Sequence, residues 1–137
     1  MNNQFLKLNL TDEKISVIPL DNEIVENYLG GRGLGIKLLS ENISKGIEPL
    51  SKENPLIFSI GPITGSTAPT SGRFSLVSKS PLTNTIFHSN SGGYWGPYFK
   101  QCGYDCLYIY GKLKDDDKGY ILIDGTDKVE VKDATDL

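Results

Sequence analysis

The sequence has few residues of the kinds that form disulfide frameworks or metal centres. Its 137 residues include two cysteines, Cys102 and Cys106, and a single histidine, His88. Two cysteines do not make a disulfide framework, and a zinc or iron–sulfur site needs about four ligands. We therefore expect both cysteines to be packing residues, one at a helix end and one in a strand, because a free thiol behaves as a small apolar group.

Long apolar runs and a strong charge of one sign are also absent. No apolar stretch approaches the length of a membrane span, and the start, "MNNQFLKLNL", lacks the charged and apolar regions of a secretion signal. The net charge of -3 provides no electrostatic footprint for nucleic acid or for an anionic membrane. We expect a soluble, cytoplasmic protein that has neither nucleic acid nor a membrane as a partner.

The common catalytic motifs are missing as well. The chain contains no GxxxxGK[ST] phosphate loop, no GxSxG elbow and no HExxH. The stretch "LGGRGLG", residues 29–35, lacks the GxGxxG spacing of a dinucleotide loop and follows a predicted helix instead of a strand. We interpret it as a tight turn between two helices, with Arg32 either solvated or facing an anion. A nucleotide loop is the less favoured alternative.

The hydrophobic pattern that is present predicts an α+β fold. Short alternating or apolar runs predict strands, Asp21 is a good N-cap for a first helix, and Gly30 and Gly31 are expected to end that helix. The predicted strands are residues 5–10, 14–19, 55–60, 73–79, 84–89, 105–111, 119–124 and 128–133, and the predicted helices lie after Asp21, around residues 34–43 and at residues 94–102. The element order predicts one domain over residues 1–137, with two similar halves, mixed or antiparallel β-sheets and a few short helices.

A second glycine-rich stretch, residues 61–97, contains many hydroxyl side chains and few large aliphatic ones. So much irregular chain is unusual in a compact domain that has no use for it. Glycines let backbone groups approach a ligand closely, and the guanidinium of Arg73 offers paired donors to a phosphate. The stretch therefore favours binding of a polar, phosphorylated ligand over acid–base chemistry. A purely structural turn region is the alternative.

Three segments in this region, "APTSGRFS", "KSPLTN" and "NSGGYWGP", occur together and in order. With them the chain resembles the N-terminal domain of the aldehyde ferredoxin oxidoreductase family over nearly its whole length. The resemblance implies a tungsten- or molybdenum-dependent enzyme that oxidises aldehydes to carboxylic acids and passes electrons to ferredoxin. In that family the metal is held between two pterin dithiolenes, as a bis-molybdopterin cofactor. The N-terminal domain forms the base on which the cofactor lies.

The resemblance also implies roles for particular residues. Arg73 is expected to contact the pterin cofactor and its phosphates. The backbone carbonyl of Asn90 is expected to help hold the magnesium ion that bridges the two pterin phosphates. Ser91, Gly92 and Gly93 are expected to lie against the cofactor as bare backbone. The aromatic pair that follows, Tyr94 and Trp95, is expected to be core, and His88 is given no role.

The family's 4Fe-4S cluster ligands and acid–base residues belong to later domains, which these 137 residues do not include. The chain alone is therefore not expected to be catalytically competent. Its implied partners are the remaining domains of the enzyme, ferredoxin and the aldehyde substrate. An exposed cofactor-facing surface also predicts self-association of the isolated chain, a homodimer being one form. Two alternatives stay open: a stand-alone pterin-binding or scaffold module without catalysis, and a degenerate domain that serves only as an interface.

Overall fold

The computed structural model describes residues 2–114 and 117–135 of the predicted domain, so residues 1, 115–116 and 136–137 lie outside the described ranges. The described residues form an α+β fold, as predicted. Its elements in chain order are β1 (Gln4–Asn9), β2 (Lys14–Pro19), α1 (Asn22–Tyr28), α2 (Gly31–Asn42), β3 (Leu56–Ile60), β4 (Phe74–Lys79), β5 (Ile86–Ser91), α3 (Trp95–Gln101), β6 (Cys106–Tyr110), β7 (Gly119–Asp124) and β8 (Lys128–Asp133).

Six of the strands form one mixed sheet in the order β2-β1-β6-β3-β4-β5, and β7 pairs with β8 in a second, two-stranded sheet. Strands β1 and β6 are parallel, and every other pair is antiparallel. Because β6 lies between β1 and β3, the early and late parts of the chain share one sheet. The similarity of the two halves stays a prediction. Strand β5 is an edge strand of the large sheet, which matters for the site described below.

Helices α1 and α2 cover one face of the large sheet. Leu34, Leu38 and Leu39 of α2 are buried in a core that also contains Ile57 and Val77 of the sheet. The close approach depends on Gly35, since a β-carbon at this position would lie 2.7 Å from Cγ2 of Val77. Helix α2 is thereby held directly over β3 and β4.

The opposite face of the sheet carries an aromatic core next to α3. The rings of Phe58, Phe74 and Phe99 contact Trp95, with centroid distances of 5.5, 4.7 and 4.8 Å. Trp95 was predicted to be core and packs against these rings, but 37% of its surface is exposed. The same prediction for Tyr94 was wrong, because 79% of its surface is exposed. It occupies the N-cap position of α3 and its ring lies beside that of Tyr98, outside the aromatic core.

Two other predictions have clear outcomes. Cys102 is the C-cap of α3 and the buried Cys106 begins β6, and both thiols are free, as expected of packing residues. Strand β5 covers residues 86–91 in place of the predicted 84–89, because its pairing with β4 extends to Ser91 opposite Phe74.

Within the described residues, no helix is long and apolar enough to cross a membrane.

Candidate functional site

The structure brings the five residues implicated by sequence to one end of the β4–β5 pair: Arg73, Asn90, Ser91, Gly92 and Gly93. Because Phe74 pairs with Ser91, Arg73 and Gly92 lie opposite each other just beyond the last pair of the ladder. Asn90 and Ser91 belong to the edge strand itself and not to the glycine-rich turn. The site is therefore an edge of the sheet, continued by the bare backbone of residues 92 and 93.

The backbone carbonyl of Asn90 points to the open edge of the sheet. The N–H of Ser80 donates to the carbonyl of Thr85 at 2.8 Å, at the turn end of the same ladder. Hydrogen-bonded and non-hydrogen-bonded pairs alternate along an antiparallel ladder, so the pair Ser75–Asn90 is a non-hydrogen-bonded one. The N–H and C=O of Asn90 consequently point away from β4, toward the side on which β5 has no neighbouring strand among the described residues.

The side chain of Asn90 is already engaged on the face of the sheet that α2 covers. The hydroxyl of Ser75 donates to its Oδ1 atom at 2.7 Å. Side chains come closest in non-hydrogen-bonded pairs, which explains why a serine reaches an asparagine across the two strands. Of the oxygens of Asn90, the main-chain oxygen is the one left available at the edge.

The glycines at this end of the hairpin have two different roles. A β-carbon at Gly72 would lie 2.5 Å from the carbonyl oxygen of Gly93, so these backbone segments touch. β-Carbons at Gly92 and Gly93, in contrast, would meet nothing within 4 Å. Gly93 has a φ of 107°, which side chains rarely adopt, whereas Gly92 has no positive φ. Open space lies above both glycines, but only Gly93 has a backbone angle that favours glycine.

Arg73 presents an unneutralised charge on a braced backbone. Its carbonyl accepts a hydrogen bond from Oγ1 of the buried Thr64 at 3.2 Å. Its side chain is exposed. Within residues 2–114 and 117–135, the structure records neither a hydrogen bond nor an ion pair for its guanidinium. An arginine in this state retains all five N–H donors for a ligand.

A second group of residues lies at this edge: Arg32, which the sequence left as either solvated or facing an anion, and His88, which was given no role. Arg32, in the first turn of α2, has its Nη1 atom 3.2 Å from Nε2 of His88 on β5. A β-carbon at Gly31 would lie 3.7 Å from Oγ of Ser75, so the start of α2 lies over the polar pair just described. One signal was visible, since Arg32 and Arg73 are the only arginines among fourteen basic residues. The contact between Arg32 and His88 was not visible, because these two residues are 56 positions apart in the sequence.

The ionisable groups with strongly perturbed pKa values lie elsewhere, in the core. Burial raises the pKa of the Cys106 thiol well above its ordinary value. Burial also raises the pKa of Tyr108 to about 12. A thiol held in its neutral form is a poor metal ligand, which agrees with a packing role for Cys106. The candidate site thus consists of backbone, amide, hydroxyl and arginine groups, with the imidazole of His88 beside Arg32, and such groups are suited to binding a polar ligand.

The structure thus defines the class of protein: an α+β domain with a mixed sheet and a bare glycine-rich edge, with two arginines at that edge. A family model described as "Aldehyde ferredoxin oxidoreductase, N-terminal domain" matches residues 5–137. The chain therefore belongs to the aldehyde ferredoxin oxidoreductase family, as an N-terminal domain.

Individual relatives agree with this assignment. The chain is 42% identical over 134 residues to the tungsten-containing aldehyde ferredoxin oxidoreductase of Pyrococcus furiosus, covering 98% of the chain and 22% of that enzyme. It is 35% identical over 137 residues to an aliphatic sulfonate oxidoreductase, WOR-like subunit, of the same organism, covering 98% and 21%.

A solved structure is also similar. It is the active site complex BamBC of benzoyl coenzyme A reductase in complex with 1,5-dienoyl-CoA, with a TM-score of 0.92, 35% identity, and coverage of 98% of this chain and 20% of that one. The chain thus spans about a fifth of the length of these proteins.

Proposed function

We propose that this chain forms the base for a tungsten bis-molybdopterin cofactor in an oxidoreductase, and that the β5 edge is the contact surface. The observation that carries the proposal is the outward-facing carbonyl of Asn90, flanked by the bare backbone of Gly92 and Gly93. The open space above the two glycines is a surface that any β-carbon would begin to fill. Large flat ligands need such clearance.

The donor set suits the parts of the cofactor assigned to it. Magnesium prefers oxygen ligands and is commonly bound together with substrate phosphates, so a main-chain carbonyl at an open edge would be a suitable ligand for a Mg²⁺ ion bound with the cofactor phosphates. The free guanidinium of Arg73 suits a phosphate or the polar edge of a pterin. Ser91 and the two glycines provide backbone contact. The chemistry that the cofactor supplies when bound is oxidation and reduction at the metal, and the role of this chain is to bind and orient it.

The activity of the whole enzyme extends the proposal. We propose that the domain serves an enzyme that oxidises an aldehyde to a carboxylic acid and passes the electrons to ferredoxin through a 4Fe-4S cluster held by other domains. The names of the relatives refer to different compounds: aldehydes, an aliphatic sulfonate and benzoyl coenzyme A. All of them nevertheless share 35–42% sequence identity with this chain. This supports a division of labour in which the domain carries the cofactor and the rest of the enzyme selects the substrate and the metal, tungsten or molybdenum.

Location and assembly complete the proposal. Two free thiols are consistent with a reducing compartment such as the cytoplasm. The exposed side chains of Tyr94 and Tyr98, 79% and 62% accessible, support contact with the remaining domains of the enzyme, or with a second copy when the domain is alone. The domain alone is proposed to be inactive toward aldehydes, and viologen-linked oxidation by the purified 137-residue chain would contradict this.

The decisive experiment changes Arg73 in a full-length enzyme that contains this domain. Arg73→Ala removes the charge, and Arg73→Lys keeps it but loses the paired donors. Loss of a charge-assisted hydrogen bond costs about 1.5–3 kcal/mol, or about ten- to a hundredfold in affinity. We expect tungsten and pterin per protein to fall for Lys and to fall further for Ala. The melting temperature of the cofactor-free form should stay unchanged.

Lys45→Ala is the matched control. Lys45 is exposed and follows the far end of α2, about 18 Å along the helix from its first turn. Its loss removes one positive charge without touching the β5 edge, so cofactor content should stay at the wild-type level. Unchanged cofactor content in Arg73→Ala would end the assignment.

A further inference from the structure

The guanidinium of Arg32 lies over the edge strand, although its helix lies over the strands next to it. Helix α2 contacts β3 and β4, and its first turn approaches Ser75 of β4. From there the Arg32 side chain reaches β5, where Nη1 lies 3.2 Å from Nε2 of His88. Arg32 therefore places a positive charge at the same open edge that carries the Asn90 carbonyl.

The two arginines of the chain lie on opposite sides of Asn90. Along β5, His88 is two residues before Asn90, and Gly92, which lies opposite Arg73, is two residues after it. Two residues of a strand span about 7 Å. The outward carbonyl of Asn90 is thus flanked along the edge by two positions at similar distances. At one of them Arg32 contacts His88, and at the other the backbone of Arg73 lies opposite Gly92.

Neither charge is neutralised in the described part of the chain. Arg32 is exposed and makes the single hydrogen bond to His88, and the structure records no ion pair for it among residues 2–114 and 117–135. Residues 54–104, which include β3, β4, β5 and α3, contain no aspartate or glutamate. An edge with two arginines and no carboxylate in these elements is suited to more than one phosphate.

We propose that Arg32, held in place by His88, binds a second phosphomonoester group on the side of Asn90 opposite Arg73. This inference rests on the proposed cofactor role and assigns one arginine to each of the two phosphates that a shared Mg²⁺ would bridge. His88 is a positioning residue. Because the guanidinium can only donate, Nε2 of His88 must accept, so its proton is on Nδ1.

The test is a ³¹P NMR titration of the 137-residue chain with inorganic phosphate at saturating Mg²⁺. The wild type should bind two phosphates. Arg32→Gln should weaken one of them about tenfold, and Arg73→Ala should weaken the other. Lys45→Gln removes the same charge from the far end of α2 and should leave both unchanged. Melting temperatures of all variants show that the fold is intact.

The outcomes separate the two proposals. Binding of one phosphate that is lost in Arg73→Ala and unaffected by Arg32→Gln overturns the role of Arg32 and leaves the cofactor role of the edge supported. Absence of phosphate binding in the wild type overturns the present inference, while tungsten and pterin content of the full-length Arg73→Ala enzyme still tests the cofactor role.

The role of His88 has its own pair of variants. His88→Leu removes the acceptor and should weaken the Arg32-dependent phosphate several-fold, whereas His88→Gln offers an amide oxygen and should restore it. A merely structural histidine would not show this rescue. Equal phosphate affinity in His88→Leu and the wild type, or ¹⁵N NMR showing the His88 proton on Nε2, overturns the positioning role.

Discussion

The hydroxyl of Ser75 donates a 2.7 Å hydrogen bond to the side-chain oxygen of Asn90, across the last pairs of the β4–β5 ladder. This contact holds the amide on the α2 side of the sheet and occupies its oxygen. The main-chain carbonyl, which points to the open edge, is then the group of Asn90 that can serve a cation. The side chain of Asn90 thus fixes the position of the strand, and its main-chain carbonyl is the atom proposed as the ligand.

Replacing Asn90 by alanine should therefore reduce cofactor binding only in part. The change removes the hydrogen bond from Ser75, at a cost of about 0.5–1.5 kcal/mol, but leaves the main-chain carbonyl in place. Ser75→Ala breaks the same hydrogen bond from the other side and is the matched control. Tungsten and pterin content of the full-length enzyme should fall modestly and to a similar extent in both variants. Complete loss in Asn90→Ala with normal content in Ser75→Ala would mean that the side chain is the ligand.

Gly92 and Gly93 should respond to substitution in different ways. Gly92→Val places a side chain in open space at a residue without positive φ, so the melting temperature should hold while cofactor content falls below that of Asn90→Ala. Gly93→Ala forces a side chain to a φ of 107°, which costs about 1–3 kcal/mol of folding free energy. Thermal melting reports the backbone strain at residue 93, and metal analysis reports whether the open space at residue 92 is needed for the cofactor.

Gly125→Ala is the control for backbone strain at a position away from the proposed cofactor edge. Gly125 follows β7, has a φ of 72° and would also place its β-carbon in open space. The substitution should lower the melting temperature and leave cofactor content unchanged. If Gly92→Val kept full cofactor content, the bare backbone of the edge would have no role in binding.

The two cysteines should differ sharply in reactivity. Cys102 is partly exposed, whereas Cys106 is fully buried and its thiol pKa is raised by burial above the ordinary 9.0. A disulfide reagent at pH 8 should therefore modify Cys102 in the native protein and modify Cys106 only after unfolding. Equal rates for both thiols in the folded protein would contradict the burial of β6.

The same thiol makes stability depend on alkaline pH. Above pH 9 the unfolded chain loses the Cys106 proton while the folded protein keeps it, so the free energy of unfolding decreases as pH rises, by at most about 1.4 kcal/mol per pH unit for this group. Tyr108, with a pKa raised to about 12, acts in the same direction from about pH 10 upward. In Cys106→Ala, urea unfolding should lose the part of this decrease that begins near pH 9. An identical pH profile in both proteins would exclude the thiol as its source.

Local signals in the sequence determined most of the elements. Asp21 caps α1 by accepting a hydrogen bond from the N–H of Glu23 at 2.9 Å, and Gly103, at a φ of 90°, follows the end of α3. The hairpin between β1 and β2 and the one after Asp124 also formed as predicted. Caps, turns and hydrophobic periodicity act over a few residues, so a single sequence contains them in full. The resemblance of the glycine-rich segments likewise identified the family without any structure.

Only the tertiary structure decided how these helices and strands form the open β5 edge of the large sheet. The sequence predicted Asn90 and Gly92 as ligand contacts, but the outward direction of the Asn90 carbonyl depends on the register of β5 against β4. A shift by one residue would turn it inward. The insertion of β6 between β1 and β3, the exposure of Tyr94 and the contact between Arg32 and His88 all join residues that are distant along the chain. Such contacts follow from which surfaces pack together, and that choice is made by the whole core and not by the residues near each contact.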